Sequence, residues 1–160
     1  MNYSDKVLEF ATKAHEGQFR KYGSNLPYIS HPIAVAEIVL KNSPPVYADI
    51  IYTIAMFHDI LEDTNVTEQE MYDFLIEVSV LISYNDGLSD RKDFANRIIH
   101  TVKTLSKKKE NFDLIEYLNG IKLDYFATIA KLADLTHNMS DLKDQKKLDY
   151  YKLIKYYLEH

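Results

Sequence analysis

Between positions 56 and 64 the chain reads "MFHDILEDT", which sets His58 beside Asp59 and then Glu62 beside Asp63. The run before it, "IIYTIAMF", is almost wholly apolar, so a solvated helix face does not account for this charge. On a helix His58 and Glu62 stand at i and i+4, as do Asp59 and Asp63, and the four side chains form two adjacent ridges on one face. Imidazole and carboxylate so arranged suit a divalent ion. Two neighbours on one helix cannot enclose an ion, so further donors must come from elsewhere in the chain. His31, at the head of an earlier helix, and Asp134, an acid set in the apolar helix "IAKLADLTHNM", are the candidates. Two His with two Asp suit Mn, Fe, Zn, Ni or Co far better than Ca, and the lack of thiolate weighs against a structural zinc. The donor set points to an open-coordinated catalytic Mn or Fe. Each residue has a plainer reading: His31 as a helix-start histidine, Asp134 as a buried acid paired with Lys131, His58-Asp59 as a chance dipeptide. The joint order H…HD…D, with Glu62-Asp63 attached, favours the metal site.

These residues need elements to carry them. Only four Gly and four Pro punctuate the 160 residues, and apolar positions between them recur at three and four rather than two. That period predicts an all-α chain. The pattern places about eight helices near 3–18, 32–42, 46–62, 67–83, 91–105, 111–119, 122–142 and 146–158. Pro32 follows Ser30 and His31 and fits the first turn of a helix, where its missing N–H costs nothing. Pro44-Pro45 ends one helix and admits the next. Thr67 and Glu70 have capping-box spacing, and "YNDG" at 84–87 marks a turn. Four of the 13 Tyr fall in the last helix, where Tyr150-Tyr151 and Tyr156-Tyr157 read as packing surface or as the contact of a homo-oligomer. No linker or repeat interrupts the pattern, so residues 1–160 are expected to form one domain.

Composition bounds the function. The length suffices to close one hydrophobic core without disulfides or a structural metal. With no Cys there is no thiol nucleophile, and the chain is compatible with a reducing compartment. No apolar stretch approaches the ~18 residues of a membrane span, and "MNYSDKVLEF" lacks the features of a secretory signal. The expectation is a soluble cytoplasmic protein with no membrane partner. A formal charge of −5 argues against duplex nucleic acid, which is bound mainly by Lys and Arg on phosphates. The basic runs "SKKKE" and "DQKKLDYYKLIK" sit among acids and read as solvated helix faces without a catalytic role.

Four blocks carry a resemblance: "AHEGQ", "PYISHP", "HDILEDT" and "KLADLTHN", in this order within a helical chain. They resemble those of the HD-domain metal-dependent phosphohydrolases, and within them the guanosine tetraphosphate (ppGpp) hydrolases. Those are found as the hydrolase half of Rel/Spo-type bifunctional enzymes and as stand-alone small alarmone hydrolases. The similarity runs from about residue 8 to residue 142 and implies a single HD-domain helical bundle. It implies that His31, His58, Asp59 and Asp134 ligate a divalent metal, Mn first. It implies too that Glu62 and Asp63 position or deprotonate the attacking water. Metal ligation would lower the pKa of that water while a carboxylate accepts the proton. Arg20 and Lys21, in "FRKYGSNLPY", correspond to a substrate loop and would contact the guanine end or the phosphates, since Arg stacks on rings as well as pairing phosphate oxygens. Asn138 matches an Asn that would hydrogen-bond ribose or phosphate, and Lys131 is the Lys of the same motif.

The resemblance therefore implies hydrolysis of the 3′-pyrophosphate of ppGpp or pppGpp to GDP or GTP and pyrophosphate. Leu135 and Ser140 stand where bifunctional enzymes usually carry basic residues, and residues 103–122 resemble a block of short single-domain HD proteins. These departures leave a second substrate class, NADPH at its 2′-phosphate or a deoxynucleotide. A third reading is a non-catalytic nucleotide-binding HD module. Whether His15, His137 or any Tyr enters the pocket is not decided by the sequence.

Overall fold

The computed structural model describes residues 1–21, 25–82, 91–107 and 110–160. The "YNDG" segment lies outside the described residues, as does part of the loop after Lys21. Among the described residues the fold is all-α, with α1 at Tyr3–Ala14, α2 at Ser30–Asn42, α3 at Ala48–Phe57, α4 at Ile60–Asp63 and α5 at Glu68–Val78. There follow α6 at Arg91–Leu105, α7 at Leu114–Lys122, α8 at Tyr125–Asp141 and α9 at Gln145–Glu159. Short 3-10 turns at Pro45–Tyr47 and Ser79–Leu81 lead into α3 and out of α5.

The centre is α3. Ile50, Ile51, Thr53, Ile54, Ala55, Met56 and Phe57 are all buried in it, as expected of a helix that is apolar nearly all round. It packs against α1, α2, α6 and α8, and α2 and α8 also pack on each other. Its one buried polar side chain, Thr53, is satisfied by the Tyr3 hydroxyl and the Asp49 carbonyl. The site therefore hangs on a deeply buried part of the molecule, the C-terminal end of α3 and the helices around it.

Helix ends follow the capping chemistry. Thr67 and Glu70 form the expected capping box, with Glu70 Oε2 accepting from the Thr67 amide at 2.7 Å and Thr67 Oγ1 accepting from the Glu70 amide at 3.2 Å. Pro32 sits in the first turn of α2 as expected. Several boundaries differ from the sequence pattern, and three of the differences have a clear local cause. The first helix ends at Ala14, ahead of Gly17, which takes a positive φ of 78° that favours glycine. The seventh starts at Leu114, because Asp113 caps the Glu116 amide.

The third difference lies in the site itself. The helix expected over 46–62 is broken after Phe57 into α3 and α4, which makes nine α-helices among the described residues where about eight are expected. The His58 Nδ1 lies 2.7 Å from the Ala55 carbonyl, the acceptor that the Asp59 amide would use in a continuous helix. The side chain thus competes with the backbone at the break. The i, i+4 ridges expected of His58, Asp59, Glu62 and Asp63 are replaced by a turn at 58–59, followed by a single helical turn that carries the two acids.

Candidate active site

Three elements bring the candidate ligands together. α2 presents His31 from its first turn, the α3–α4 break presents His58 and Asp59, and the middle of α8 presents Asp134. Donor atoms of His31, His58 and Asp134 lie within 4.8 Å of one another, and all three residues are buried. Asp134 Oδ1 is 3.0 Å from His31 Nε2 and 3.7 Å from His58 Nε2. Asp59 stands beside this triad rather than in it: its Oδ2 is 3.2 Å from His58 Nε2 and accepts the Tyr28 hydroxyl, while its buried Oδ1 has no hydrogen-bond partner.

Hydrogen bonds on the far side fix which nitrogen faces inward. The Ala55 carbonyl can only accept, so His58 Nδ1 carries a proton and Nε2 points at the carboxylates. Asp134 is held from behind by Lys131 Nζ at 2.8 Å and by Asn138 Nδ2 at 2.6 Å, one turn away on either side along α8. Burial would raise the Asp134 pKa, but Lys131, His31 and His58 outweigh it and hold the carboxyl well below the usual carboxylate range. Burial would likewise lower His58, and Asp59 and Asp134 push it up to about 9 instead. His31 goes the other way, lowered by burial and by the neighbouring His58. The site is thus a buried carboxylate cluster neutralised by an imidazolium and an ammonium. Two imidazoles and two carboxylates with an unpartnered buried oxygen fit a borderline divalent cation, which would replace the proton on His58.

The remaining residues named from the sequence surround this centre. Glu62 and Asp63 line the same cleft, with Glu62 Oε2 accepting from the Lys107 amide at 2.9 Å. Asp63 has its pKa raised by burial and by repulsion from Asp59 and Glu62, a direction that favours proton acceptance near neutral pH. Arg20 and Lys21 line a second pocket next to the first. The backbone at 18–20 is held in register by a short bridge, Tyr28 N to Gln18 O at 2.8 Å and Arg20 N to Leu26 O at 3.0 Å. Arg20 is bound to Asp141 at 2.9 Å and to Asn138 Oδ1 at 3.2 Å. Asn138 therefore already serves Asp134 and Arg20 from its two ends. Tyr28, Asp63 and Asn138 are walls of both pockets, so the metal-type centre and the Arg20 pocket are contiguous.

The structure also places residues the sequence left without a role. Tyr28, three residues before His31, donates to Asp59, and burial together with Asp59 raises its pKa so that it stays a phenol. Both undecided histidines belong to the outer shell. His15 is buried, with Nδ1 2.8 Å from Gln18 Oε1 and Nε2 3.9 Å from Asp59 Oδ1, and His137 Nδ1 is 2.7 Å from His31 Nδ1. Gln18 ties this corner to α4 by donating to the Asp63 carbonyl at 2.8 Å. Of the two basic runs, Lys107 of the first lines the cleft, whereas in the second it is Tyr150, Tyr151 and Ile154 of α9, and none of its lysines, that do so. The signal for Tyr28 and Gln18 was present in "PYISHP" and "AHEGQ". Nothing in the local sequence of α9 marks its inward face.

Residues 28–139 match the HD domain family, and the chain belongs to it. Over 139 residues it is 38% identical to a Borreliella burgdorferi protein named guanosine-3′,5′-bis(diphosphate) 3′-pyrophosphohydrolase, covering 86% of this chain and 18% of that one. It is 31% identical to the protein of that name, MESH1, from Xenopus tropicalis, covering 86% of this chain and 68% of the relative. The chain thus spans about a fifth of the bacterial relative and two thirds of the vertebrate one. A solved structure described as "A metazoan ortholog of SpoT hydrolyzes ppGpp and plays a role in starvation responses" superposes with a TM-score of 0.66 at 20% identity, covering 99% of this chain and 84% of that one. It shares the fold. Among the described residues no helix is long and apolar enough to cross a membrane.

Proposed function

We propose that this chain is a metal-dependent phosphohydrolase that removes the 3′-pyrophosphate of ppGpp or pppGpp, giving GDP or GTP and pyrophosphate. The observation that carries the reading is the continuity of the two pockets. A buried His/Asp centre with two further acids opens, past Tyr28, Asp63 and Asn138, onto a pocket lined by Arg20 and Lys21. The names of the bacterial and vertebrate relatives point to the same substrate.

His31, His58, Asp59 and Asp134 would hold the ion, with Mn the first candidate among Mn, Fe, Zn, Ni and Co. The ion would supply Lewis-acid chemistry, acidifying water and neutralising charge at phosphorus. The protein's own groups do the rest. Asp63, with its raised pKa, accepts the proton of the attacking water. Glu62, held through Oε2 by the Lys107 amide, positions that water with its remaining carboxylate oxygen. Arg20 is steadied by Asp141 and Asn138, and with Lys21 it meets the guanine or its 5′-diphosphate, where a planar guanidinium can stack or pair with oxygens. Incubation with Mn²⁺ and ppGpp is expected to release pyrophosphate, and Asp59→Ala or Glu62→Ala to abolish the release. Intact ppGpp after prolonged incubation with metal-loaded protein overturns the assignment.

A second reading keeps the chemistry and changes the nucleotide to NADPH, cleaved at its 2′-phosphate, or to a deoxynucleotide. Leu135 and Ser140, and the aromatic lining from Tyr150 and Tyr151, favour it. A panel of nucleotides scored for phosphate and pyrophosphate separates the two, and preference for ppGpp removes the second.

A further inference from the structure

His31 has two polar contacts, one at each ring nitrogen. Its Nε2 is 3.0 Å from Asp134 Oδ1, and its Nδ1 is 2.7 Å from His137 Nδ1. The rest of the ring is enclosed by aromatic rings, Tyr28 edge-on at 5.7 Å, His58 edge-on at 5.2 Å and His137 tilted at 4.9 Å between centroids. His31 is 1% exposed, so the nitrogen facing His137 must find its hydrogen bond there. Two imidazole nitrogens at 2.7 Å share one proton: one donates and the other accepts.

The direction of that bond depends on what His31 Nε2 is doing. When Nε2 carries a proton and donates to Asp134, Nδ1 is bare and His137 Nδ1–H must donate to it. A cation needs the lone pair of Nε2, which puts the His31 proton on Nδ1 and requires His137 Nδ1 to accept. Of the neutral side chains, only one that can both donate and accept at that point satisfies His31 in the two conditions. Lys and Arg cannot accept, and a carboxylate cannot donate when ionised.

We propose that His137 is a positioning residue for the metal centre, reversing its Nδ1···Nδ1 hydrogen bond to His31 when the centre takes up a divalent cation. The proton balance is closed. His31 gives up Nε2–H and gains Nδ1–H, while His137 gives up Nδ1–H and gains Nε2–H, so both rings stay neutral throughout. This inference rests on the metal site proposed above but not on the substrate. Outer partners of this kind change metal affinity by about 10–100-fold when lost.

The test uses Zn²⁺ as a diamagnetic probe on the full chain, with ring ¹⁵N spectra of ¹⁵N-histidine protein before and after saturation and His137 signals assigned by their loss in His137→Asn. The expected result is that His137 Nδ1 changes from protonated to bare and His31 Nδ1 from bare to protonated. In parallel, His137→Leu is expected to weaken Zn²⁺ binding by about 10–100-fold, while His137→Asn, whose amide occupies the Nδ1 position and can turn to donate or accept, retains most of the affinity. An unchanged His137 Nδ1 signal on saturation overturns the inference, and this reading is made on wild type and is independent of how the variants fold. Wild-type affinity in His137→Leu overturns it as well. Zn²⁺ binding with the proton switch but no ppGpp turnover defeats the proposed function alone. Turnover without the switch defeats only this inference.

Discussion

Two aspartates ten residues apart, one capping α8 and one within it, are buried to nearly the same degree and do opposite things. Asp124 is 4% exposed and Asp134 5%. Asp124 caps the helix: its Oδ1 accepts from the Phe126 and Ala127 amides at 3.0 and 3.2 Å and from Arg97 at 2.9 Å, and its Oδ2 accepts the Thr101 hydroxyl at 2.9 Å. Its hydrogen-bond donors are backbone amides, a hydroxyl and a guanidinium, and the one imidazole near it, His100, stands back at 3.9 Å from Oδ2 on a side chain that is 68% exposed. Asp134 is surrounded instead by Lys131, Asn138 and two imidazoles. Those imidazoles can each give up a proton and turn a lone pair to the same point. Burial of an acid therefore says little by itself; the exchangeability of its partners decides whether it is structural or chemical.

The contrast is broken most directly by removing each acid. Asp134→Ala is expected to lower Mn²⁺ affinity and ppGpp turnover by more than the about 10–100-fold that loss of an outer partner brings. Asp124→Ala should keep metal uptake and turnover per folded molecule. It should cost about 2–4 kcal/mol in stability, from a lost helix cap and lost hydrogen bonds to a charged group. Metal titration and urea unfolding of both variants check this. If the two variants lose metal equally, the distinction fails.

The sequence alone carried much of this, and the reason is local. His58 and Asp134 are conspicuous as polar residues in apolar surroundings and His31 as a histidine at a helix head, and the three bring donor atoms within 4.8 Å of one another. Asp124 was not singled out, since an acid just before a helix is ordinary capping chemistry. The α3–α4 break was illegible, because it arises where a side-chain nitrogen competes for the Ala55 carbonyl, and periodicity registers only apolar spacing. Likewise Tyr150 and Tyr151 face the cleft only because α9 packs across α7 and α8, a choice of face made by tertiary contacts.

A second expected difference is in proton coupling. His58 has its pKa pushed up to about 9 by Asp59 and Asp134 against the pull of burial, so the metal-free site holds an imidazolium at neutral pH. A folded value above the ordinary 6.5 means that this contribution to metal-free stability is complete below about 6.5 and fades as pH rises through about 9. Ligation needs the neutral ring. Mn²⁺ binding should therefore release about one proton near pH 7.5, and affinity should rise about tenfold per pH unit up to about 9. Calorimetry in buffers of different ionisation enthalpy measures the release. Asp124→Asn should leave that curve in place, whereas Asp134→Asn should shift it; a release of no proton by wild type contradicts the charge assignment at His58.

The smallest expected effect sharpens the structural end. Arg97 pairs with Asp124 at 2.9 Å, but its side chain is 35% exposed and its guanidinium lies 5.0 Å from the centroid of the Phe126 ring. A half-open pair in water is screened, and Asp124 would keep its two amides and Thr101 if Arg97 were lost. Arg97→Ala should therefore cost about 1 kcal/mol or less, with the loss shrinking further in high salt, and metal affinity should not change. The same deletion of a cationic partner at Asp134, Lys131→Met, removes the ammonium that Asp134 holds at 2.8 Å in the interior of the site. Metal binding should respond there, because the charge and orientation of the carboxylate facing the centre depend on that lysine. Comparing Mn²⁺ affinity in Arg97→Ala and Lys131→Met isolates the role of the partner from the burial of the acid. Equal affinities would mean that Lys131 is as incidental to the centre as Arg97.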